Sequence, residues 1–226
     1  MTHTSRRAPR NAPNCHLLVI AKEPVPGKVK TRLCPPLTPA EAAVVATAAL
    51  ADTLDAVAGC GADRKILALD GTPGDWLPPG FELIPQRGDT FDQRLARAWL
   101  DASGPGLQIG MDTPQVTSEL LDRCLEATFQ PGVNASMGRA VDGGWWAIGV
   151  SNRWELDVFT GVPMSTPATA TIQLMRLERA GYRVAQLPWL TDVDDIDDAV
   201  RVADHAPDSR FATVVGNLRR HLGGVA

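Results

Sequence analysis

The sequence lacks the cysteine and histidine spacing of a metal centre or a disulfide framework. Its four cysteines lie far apart and form no C-x-x-C pair; they are Cys15, Cys34, Cys60 and Cys124. This spacing excludes a zinc knuckle, a redox dithiol and the disulfide framework of a small secreted protein. His16, His205 and His221 are not grouped with cysteines or carboxylates at metal-ligand spacing. We therefore expect a reduced, cytoplasmic protein.

The sequence also lacks a large excess of basic or acidic residues, and it lacks long hydrophobic runs. Lys and Arg number 22 against 26 Asp and Glu, for a net charge of −4. The overall charge is not that of a nucleic-acid-binding protein. The opening stretch MTHTSRRAPRNAPN has no apolar core of a signal peptide, and no later run is long enough to predict a bilayer crossing. We expect neither a nucleic acid partner nor a membrane span.

Three common motifs are absent from the chain. It has no G-x-S-x-G nucleophile elbow, no Walker A loop and no G-x-G-x-x-G fingerprint. Covalent hydrolase chemistry therefore has no support from the sequence, and neither of these two nucleotide-binding loops is present. The chain has 226 residues, of which 44% are apolar, which is enough for one core. We predict a flexible tail over residues 1–14 and a single domain over 15–226, and the sequence leaves a homodimer open.

What the sequence does contain is an alternation of apolar strands with capped helices. Continuous or short apolar runs predict strands at 16–21, 65–69, 81–84, 107–110, 133–137, 145–150 and 183–187. Helix starts are predicted after Thr38, Thr90, Thr117, Thr166-Pro167 and Asp194, the last being the final clear helix. This alternation predicts an α/β fold with a mainly parallel sheet covered on both faces. Ligands bind such sheets beyond the carboxyl ends of the strands.

The loop after the first strand, AKEPVPGKVKTRL, is rich in basic residues. It contains Lys22, Lys28, Lys30 and Arg32, and Gly27 with two prolines keeps its backbone irregular. Cationic side chains and free backbone N–H groups suit a polyphosphate, because its oxygens accept charge-assisted hydrogen bonds. A solvated basic loop is the alternative.

The segment IGMDTP places Asp112 just beyond a buried strand. A carboxylate there can bind Mg²⁺ or Mn²⁺ that also bridges phosphate oxygens, because hard cations prefer oxygen ligands. Aspartate before a turn proline can equally be a structural turn residue.

The segment GRAVDGGWWAIGV contains a second candidate carboxylate, Asp142. It could accept hydrogen bonds from sugar hydroxyls or an acceptor, and Gly143 and Gly144 would allow close backbone approach. A plain hairpin turn is the alternative. Trp145 and Trp146 should point to opposite faces of a strand, so we expect at most one to stack on a ligand and the other to be core.

The acidic segment TDVDDIDD supplies carboxylates near the end of the chain. Asp192 and Asp194 precede the predicted helix and could provide a second metal ligand facing Asp112. The aspartates at 195, 197 and 198 should instead stabilise the helix N-terminus.

Five segments in this order resemble the DUF2064 family, a glycosyltransferase-like group within the GT-A superfamily of nucleotide-diphospho-sugar transferases. They are AKEPVPGKVKTRL, IGMDTP, AVDGGWWAIGV, MSTPATATIQL and DVDDIDD. A fainter similarity extends to molybdenum-cofactor and 2-phospholactate guanylyltransferases. The resemblance implies a Rossmann-like GT-A three-layer sandwich, a nucleotide sugar or NTP, a small-molecule acceptor, and Mg²⁺ or Mn²⁺.

The predicted site combines the residue patterns with this resemblance. Nucleotide binding is assigned to Ala21, Lys22, Gly27, Lys30, Thr31, Arg32, Arg94 and Asp112. Acceptor or sugar binding is assigned to Asp142, Gly143, Gly144 and Trp145, metal binding to Asp112 and Asp194, and catalysis to Lys30, Asp112 and Asp142.

The chain departs from its relatives at several of these positions. Phe91-Asp92-Gln93-Arg94 replaces a usual Leu-Gly-Glu-Arg, Trp145 replaces tyrosine and Arg139 replaces proline. The Asp-x-Asp signature of glycosyltransferases lacks its second aspartate beside Asp112. Three functions follow: glycosyl transfer from a nucleotide sugar, nucleotidyl transfer from an NTP, and nucleotide binding without catalysis.

Overall fold

The computed structural model describes residues 14–152 and 157–223. All but the last residue of the predicted tail at 1–14 therefore lies outside the described residues.

Seven strands form one mixed sheet. They are β1 (His16–Lys22), β2 (Arg64–Asp70), β3 (Glu82–Pro85), β4 (Gly106–Gly110), β5 (Ala135–Ala140), β6 (Trp145–Val150) and β7 (Val184–Leu190). Their order is β3-β2-β1-β4-β6-β5-β7, and β6 alone among them runs antiparallel to its neighbours. The prediction of a mainly parallel, mixed sheet is confirmed.

The described residues form six α-helices, and the first four of them pack against the sheet. They are α1 (Pro39–Gly59), α2 (Phe91–Ala102), α3 (Ser118–Thr128), α4 (Thr169–Arg179), α5 (Ile196–His205) and α6 (Arg210–Gly223). Thr38 and Glu41 form the predicted capping box of α1, and Thr117 caps α3 as predicted. Such caps satisfy backbone N–H groups that the first helical turn leaves without partners.

Alternating side chains of β1 divide the core between the two faces of the sheet. Leu17 and Val19 pack with α1 and α3 on one face. Leu18 and Ile20 pack with α2 and α4 on the other. This two-residue period is the reason that a strand buried on both faces reads as a continuous apolar run. The result is the predicted three-layer sandwich.

Helix α1 is also buried on its outer side, because α5 and α6 pack against it through Val202, Phe211 and Val215. By length and composition its 21 residues meet the criterion for a membrane span, contrary to the expectation from the sequence that no run is long enough. However, 61% of its most apolar window is buried inside the protein. Burial of this kind is the property of a core helix.

One predicted helix start was wrong, and one helix was missed. Thr166 and Pro167 do not cap α4, because they form a separate turn in which the Thr166 hydroxyl accepts a hydrogen bond from Ala168, and the helix begins at Thr169. Helix α6 was not predicted at all. Its start is capped by Ser209, whose hydroxyl accepts a hydrogen bond from the Ala212 backbone N–H.

The sheet brings distant loops to one edge. Because β1, β4, β5 and β7 are parallel to one another, their carboxyl ends lie on the same side. The reversed β6 begins on that side, so the turn between β5 and β6 joins the same edge. All the segments predicted to bind ligands meet there.

Candidate functional site

A cleft of about 760 Å³ opens at this edge. Its walls come from the loops after β1, β4, β5 and β7, from the N-terminal half of α2, and from the segment that precedes α4. A cleft of this size at the carboxyl ends of parallel strands is the usual place for a ligand in an open α/β sheet.

The loop after β1 directs Lys30 into the cleft. Its ammonium forms an ion pair with Asp112 and donates a hydrogen bond to the Val193 carbonyl, and its side chain is only 7% exposed. The Lys30 backbone is left-handed, with φ of 47°. This conformation is unfavourable for a residue with a Cβ atom, by about 1–2 kcal/mol. Strained backbone of this kind is often found where a side chain must be held in one place.

A second cation from the same loop contacts the acidic segment after β7. Arg32 Nη1 donates to Asp194 Oδ2 at 2.9 Å, and both side chains are partly exposed. The Val193 backbone N–H donates to the Asp112 carbonyl at 2.9 Å, which fixes the loop after β7 against the loop after β4. Cations and carboxylates from three loops thus occupy one end of the cleft.

Asp192 lies beside this group with a buried oxygen. Its Oδ1 has no hydrogen-bond partner among the described residues. Burial, and then the negative charges of Asp112 and Asp142, raise the pKa of Asp192 to about 8. The pKa of Asp194 is also raised, chiefly by burial, against the opposing charges of Lys30 and Arg32. Asp192 therefore keeps its proton at neutral pH unless a cation stabilises its carboxylate.

The donor set fits a divalent ion that arrives with a nucleotide. Within residues 14–152 and 157–223, no three His, Cys, Asp or Glu side chains are arranged as a complete metal site. Mg²⁺ bound to a nucleotide needs only one or two carboxylates, since phosphates and water supply its other ligands. The unpaired Asp192 oxygen beside Asp112 and Asp194 is the structural observation that suits such an ion.

Asp142 lies on the exposed turn between β5 and β6 and lines the cleft. One of its oxygens accepts a hydrogen bond from the Gly144 backbone N–H at 2.8 Å. The residue therefore has the geometry of the plain turn that the sequence left open. Its other carboxylate oxygen accepts no hydrogen bond from the described residues, and it can meet a ligand in the cleft.

Gly143 does not line the cleft, which corrects the expectation that it approaches a ligand. It has φ of 93°, and a Cβ atom placed there would lie 2.2 Å from the Pro167 carbonyl oxygen. Its own carbonyl accepts a hydrogen bond from Ala170 at 2.9 Å. Gly143 thus allows two protein segments, rather than a ligand and the backbone, to come close together.

Gly27 is the other predicted site residue that lies outside the cleft lining. It has φ of 76°, and a Cβ atom placed there would have no neighbour within 4 Å, so the glycine serves the turn of the basic loop. The remaining predicted residues all line the cleft: Ala21, Lys22, Lys30, Thr31, Arg32, Arg94, Asp112, Asp142, Gly144, Trp145 and Asp194.

The side chains of Trp145 and Trp146 pack on opposite faces of the sheet, as predicted. Trp146 is buried, and its indole N–H donates to the Pro188 carbonyl at 2.8 Å. Trp145 is partly exposed at the cleft and packs near Phe159, with ring centroids 5.9 Å apart.

Several cleft residues were not predicted from the sequence. Gln86 after β3 donates to the carbonyls of Ala21 and Ala68, at 2.8 and 3.0 Å, and so fixes the ends of β1 and β2. Gln108 lies within β4. The segment at 164–167 closes the opposite wall, and Ser165 in it has φ of 58°. Gln108 alone carried a readable signal, since a glutamine within an otherwise apolar strand is unusual.

Three solved structures with a similar fold have names that refer to nucleotide-dependent transferases. A Desulfovibrio desulfuricans protein, named for a proposed nucleotide-diphospho-sugar transferase activity, is 26% identical, with 93% of this chain and 96% of that chain covered and a TM-score of 0.79. A Leptospira borgpetersenii cytidylyltransferase is 10% identical, with coverage of 93% and 95% and a TM-score of 0.56. A Thermus thermophilus 2-C-methyl-D-erythritol 4-phosphate cytidylyltransferase is 19% identical, with coverage of 83% and 96% and a TM-score of 0.50.

The sequence profile of one family matches more than half of the chain. No curated protein shows significant sequence similarity to this chain. Residues 40–166 match DUF2064, described as an uncharacterized protein conserved in bacteria. The matched range includes the Asp112 loop and the turn between β5 and β6. The chain therefore belongs to the DUF2064 family.

Proposed function

We propose that the protein is a transferase that moves a glycosyl group from a nucleotide sugar to a small acceptor with the help of a divalent metal. The observation that carries this proposal is the meeting of Lys30 and Arg32 with Asp112 and Asp194 at one end of the cleft. Such a site can bind the diphosphate and its metal together. The relative from D. desulfuricans, named for a related activity, supports the same substrate class.

In this proposal the cationic residues bind the diphosphate and the acidic residues bind the metal ion. Lys30 and Arg32 bind the diphosphate as negative charge develops on it, which lowers the free energy of the transition state. Asp112 and Asp194 would hold the Mg²⁺ or Mn²⁺ ion, with Asp192 beside them. When bound, that ion neutralises charge on the departing diphosphate.

Asp142 is the residue best placed to act on the acceptor. It lies on a turn whose two ends enter β5 and β6, so its position is fixed by the sheet. In the proposed step the sugar C1–O bond to the diphosphate breaks, and the acceptor oxygen forms the new bond to C1. The acceptor hydroxyl proton passes to Asp142, and the nucleoside diphosphate leaves.

Nucleotidyl transfer is the second candidate. Asp112 is followed by Thr113 and Pro114, so the second aspartate of the glycosyltransferase signature is missing. The fold is also that of two cytidylyltransferases. In this reaction an acceptor phosphate oxygen bonds to the α-phosphorus of an NTP, and pyrophosphate leaves.

Product analysis distinguishes the candidates. The protein is incubated with Mn²⁺, a panel of nucleotide sugars or NTPs, and a panel of sugar and phosphorylated acceptors. Glycosyl transfer releases a nucleoside diphosphate, and nucleotidyl transfer releases pyrophosphate. Nucleotide binding without either product would support a non-catalytic module, and absence of binding would contradict all three functions.

The change Asp112→Asn tests the shared site. We expect it to weaken metal-supported nucleotide binding by about 1.5–3 kcal/mol or more, because the amide cannot replace a charged ligand. The fold should persist, since asparagine has the same shape and can still accept a hydrogen bond from Lys30. Calorimetric titration measures the affinity.

Asp75→Asn is the matched control for this change. Asp75 is exposed and lies outside the cleft lining, so its replacement should leave nucleotide affinity unaltered. Equal affinities for the Asp112→Asn protein and the unchanged protein would refute the assignment.

A further inference from the structure

The part of the cleft lined by α2 and the neighbouring strands contains polar atoms that the described residues do not satisfy. Three residues there line the cleft: Gln108 on β4, Arg94 on α2 and Trp145 at the start of β6. Both amide atoms of Gln108, the Nε of Arg94 and the Nε1 of Trp145 are buried without a hydrogen-bond partner in the described part of the chain. Unsatisfied buried polar groups are rare in native proteins and need a reason.

Gln108 is the most unusual of the three. It lies on a central strand, opposite Leu18 and Ile148 in register, and it is 0% exposed. A leucine would fill this place without loss of hydrogen bonds. An orphaned amide in the core is destabilising, so the fold does not account for a glutamine here.

Arg94 differs from Lys30 and Arg32, two cations of the loop after β1, in its surroundings. Lys30 and Arg32 each have a carboxylate partner, whereas no carboxylate among the described residues forms an ion pair with Arg94. Its guanidinium lies 5.7 Å from the centroid of the Phe91 ring. The charge is thus left without an anion in a partly buried position, which favours binding of one.

All three residues lie on the same face of the sheet. The neighbours of Gln108, Leu18 and Ile148, belong to the core cluster that also contains Leu95 of α2, and Trp145 packs against that cluster. The unpaired atoms include three kinds of donor and one acceptor, the Gln108 carbonyl oxygen. A ligand that satisfies them must present mainly oxygen atoms and at least one donor.

We propose that Gln108, Arg94 and Trp145 form a subsite for an anionic oxygen group, a carboxylate or a phosphate, of the second substrate, with a hydroxyl next to it. This rests on the proposed function, in which the Lys30 and Asp112 end of the cleft takes the nucleotide diphosphate. The unpaired polar atoms of these three side chains are inaccessible to solvent. The Arg94 side chain is long and partly exposed, so we expect it to move when the anionic group binds.

The test measures anion binding when the nucleotide end is already filled. Inorganic phosphate and, separately, acetate are titrated by calorimetry into protein saturated with Mn²⁺ and a nucleoside diphosphate. The variants are Arg94→Gln and Gln108→Leu, and the control is Arg97→Gln, which changes an exposed arginine of the same helix. A Lys30→Gln background, tested without nucleotide, removes the main cation of the other end.

At least one of the two anions is expected to bind, and the stronger identifies the group. Arg94→Gln should weaken its binding about tenfold or more and Gln108→Leu severalfold, while Arg97→Gln leaves it within about twofold. Nucleotide affinity should stay constant in all three variants, and a constant affinity in Arg94→Gln would move Arg94 from the nucleotide-binding set predicted from the sequence to the anion subsite. Gln108→Leu should also raise the melting temperature of the ligand-free protein, because it removes an unsatisfied amide.

Several results would overturn the subsite. Binding of neither anion would do so, as would a melting temperature lowered by Gln108→Leu. If Arg94→Gln weakened nucleotide and anion binding equally, the residue would belong to the nucleotide end. If no nucleotide binds, the proposed function fails, yet phosphate binding in the Lys30→Gln background that Arg94→Gln abolishes would still support the subsite.

Discussion

At the residue scale, Lys30 combines several unusual properties. It has a left-handed backbone, a nearly buried side chain and an ion pair with Asp112. The sequence predicted a basic loop and a carboxylate at the proper strand ends. It could not predict the hydrogen bond from Lys30 to the Val193 carbonyl. The two residues are 163 positions apart along the chain, and only the order of the strands brings them close.

His16 gives the protein a pH-dependent stability unrelated to the cleft. Its ring is fully buried against Trp99 and Gly106, and neither ring nitrogen has a hydrogen-bond partner in the part of the chain described. Burial, and then the charge of Arg64, lower the pKa of His16 to about 4. Unfolding restores a value near 6.5, so the unfolded state binds the proton first as the pH falls.

We expect this imidazole to reduce the free energy of unfolding as the pH falls from about 6.5 towards 4, by about 3 kcal/mol in total. His16→Leu should remove that part of the pH dependence, since leucine fills the site and does not titrate. Urea unfolding at pH 7.5 and pH 5 measures the difference. His205→Gln, at an exposed position, is the control, and identical pH slopes for the His16→Leu and unchanged proteins would contradict the assignment.

At the element scale, the turn between β5 and β6 is fixed to the segment before α4. Gly143→Ala should be strongly destabilising, because its φ is left-handed and the added Cβ would meet the Pro167 carbonyl. Gly181→Ala is a matched control, with φ of 85° but no atom within 4 Å. It should cost only the conformational strain of about 1–2 kcal/mol.

Chemical unfolding compares the two glycine variants, and nucleotide titration shows whether the cleft is preserved. Equal stabilities would mean that the turn adapts to the added atom, and that Gly143 does not fix the two segments together.

The acidic segment after β7 should divide into structural and ligand-binding aspartates. Asp195 accepts a hydrogen bond from Asp198 N at 2.9 Å and caps α5 in a capping box. Asp195→Ala should therefore lower the free energy of unfolding by about 1 kcal/mol and leave nucleotide affinity unchanged. Asp194→Ala should do the reverse, weakening metal-supported nucleotide binding with a smaller loss of stability. Calorimetry measures the nucleotide affinity of both variants, and urea unfolding measures their stability. A loss of affinity in Asp195→Ala together with the larger loss of stability in Asp194→Ala would contradict this division.

The elements differed in how well sequence signals defined them. Strands such as β1 and β6 were predicted because a buried strand is visible in the local sequence as a run of apolar residues. The start of α4 was wrong because Thr166 and Pro167 have the composition of a helix cap but form a turn held by contacts with Gly143. Helix α6 was missed although Ser209 and the spacing of Phe211 and Val215 were readable signals.

At the scale of the whole molecule, ligand binding should appear as increased stability. The proposed ion is held by protein carboxylates and nucleotide phosphates together, so Mn²⁺ with a nucleotide should raise the melting temperature more than either alone. At a hundredfold excess over the dissociation constant, the gain is about 2.7 kcal/mol, or roughly 5 to 10 °C for a domain of this size.

A thermal-shift series with the nucleotide, Mn²⁺, both and EDTA checks this expectation. A rise with Mn²⁺ alone equal to that with both would show that the metal binds without the nucleotide, contrary to the proposed shared site.

The ion pairs of Lys30 and Arg32 also bear on how a ligand first meets the protein. Because each of these two cations already faces a carboxylate, this end of the cleft presents little uncompensated positive field to a distant polyphosphate, and long-range steering towards it should be weak. Association should then depend only slightly on ionic strength. The charges would become available to the incoming phosphates after contact, as each cation exchanges its carboxylate for a phosphate.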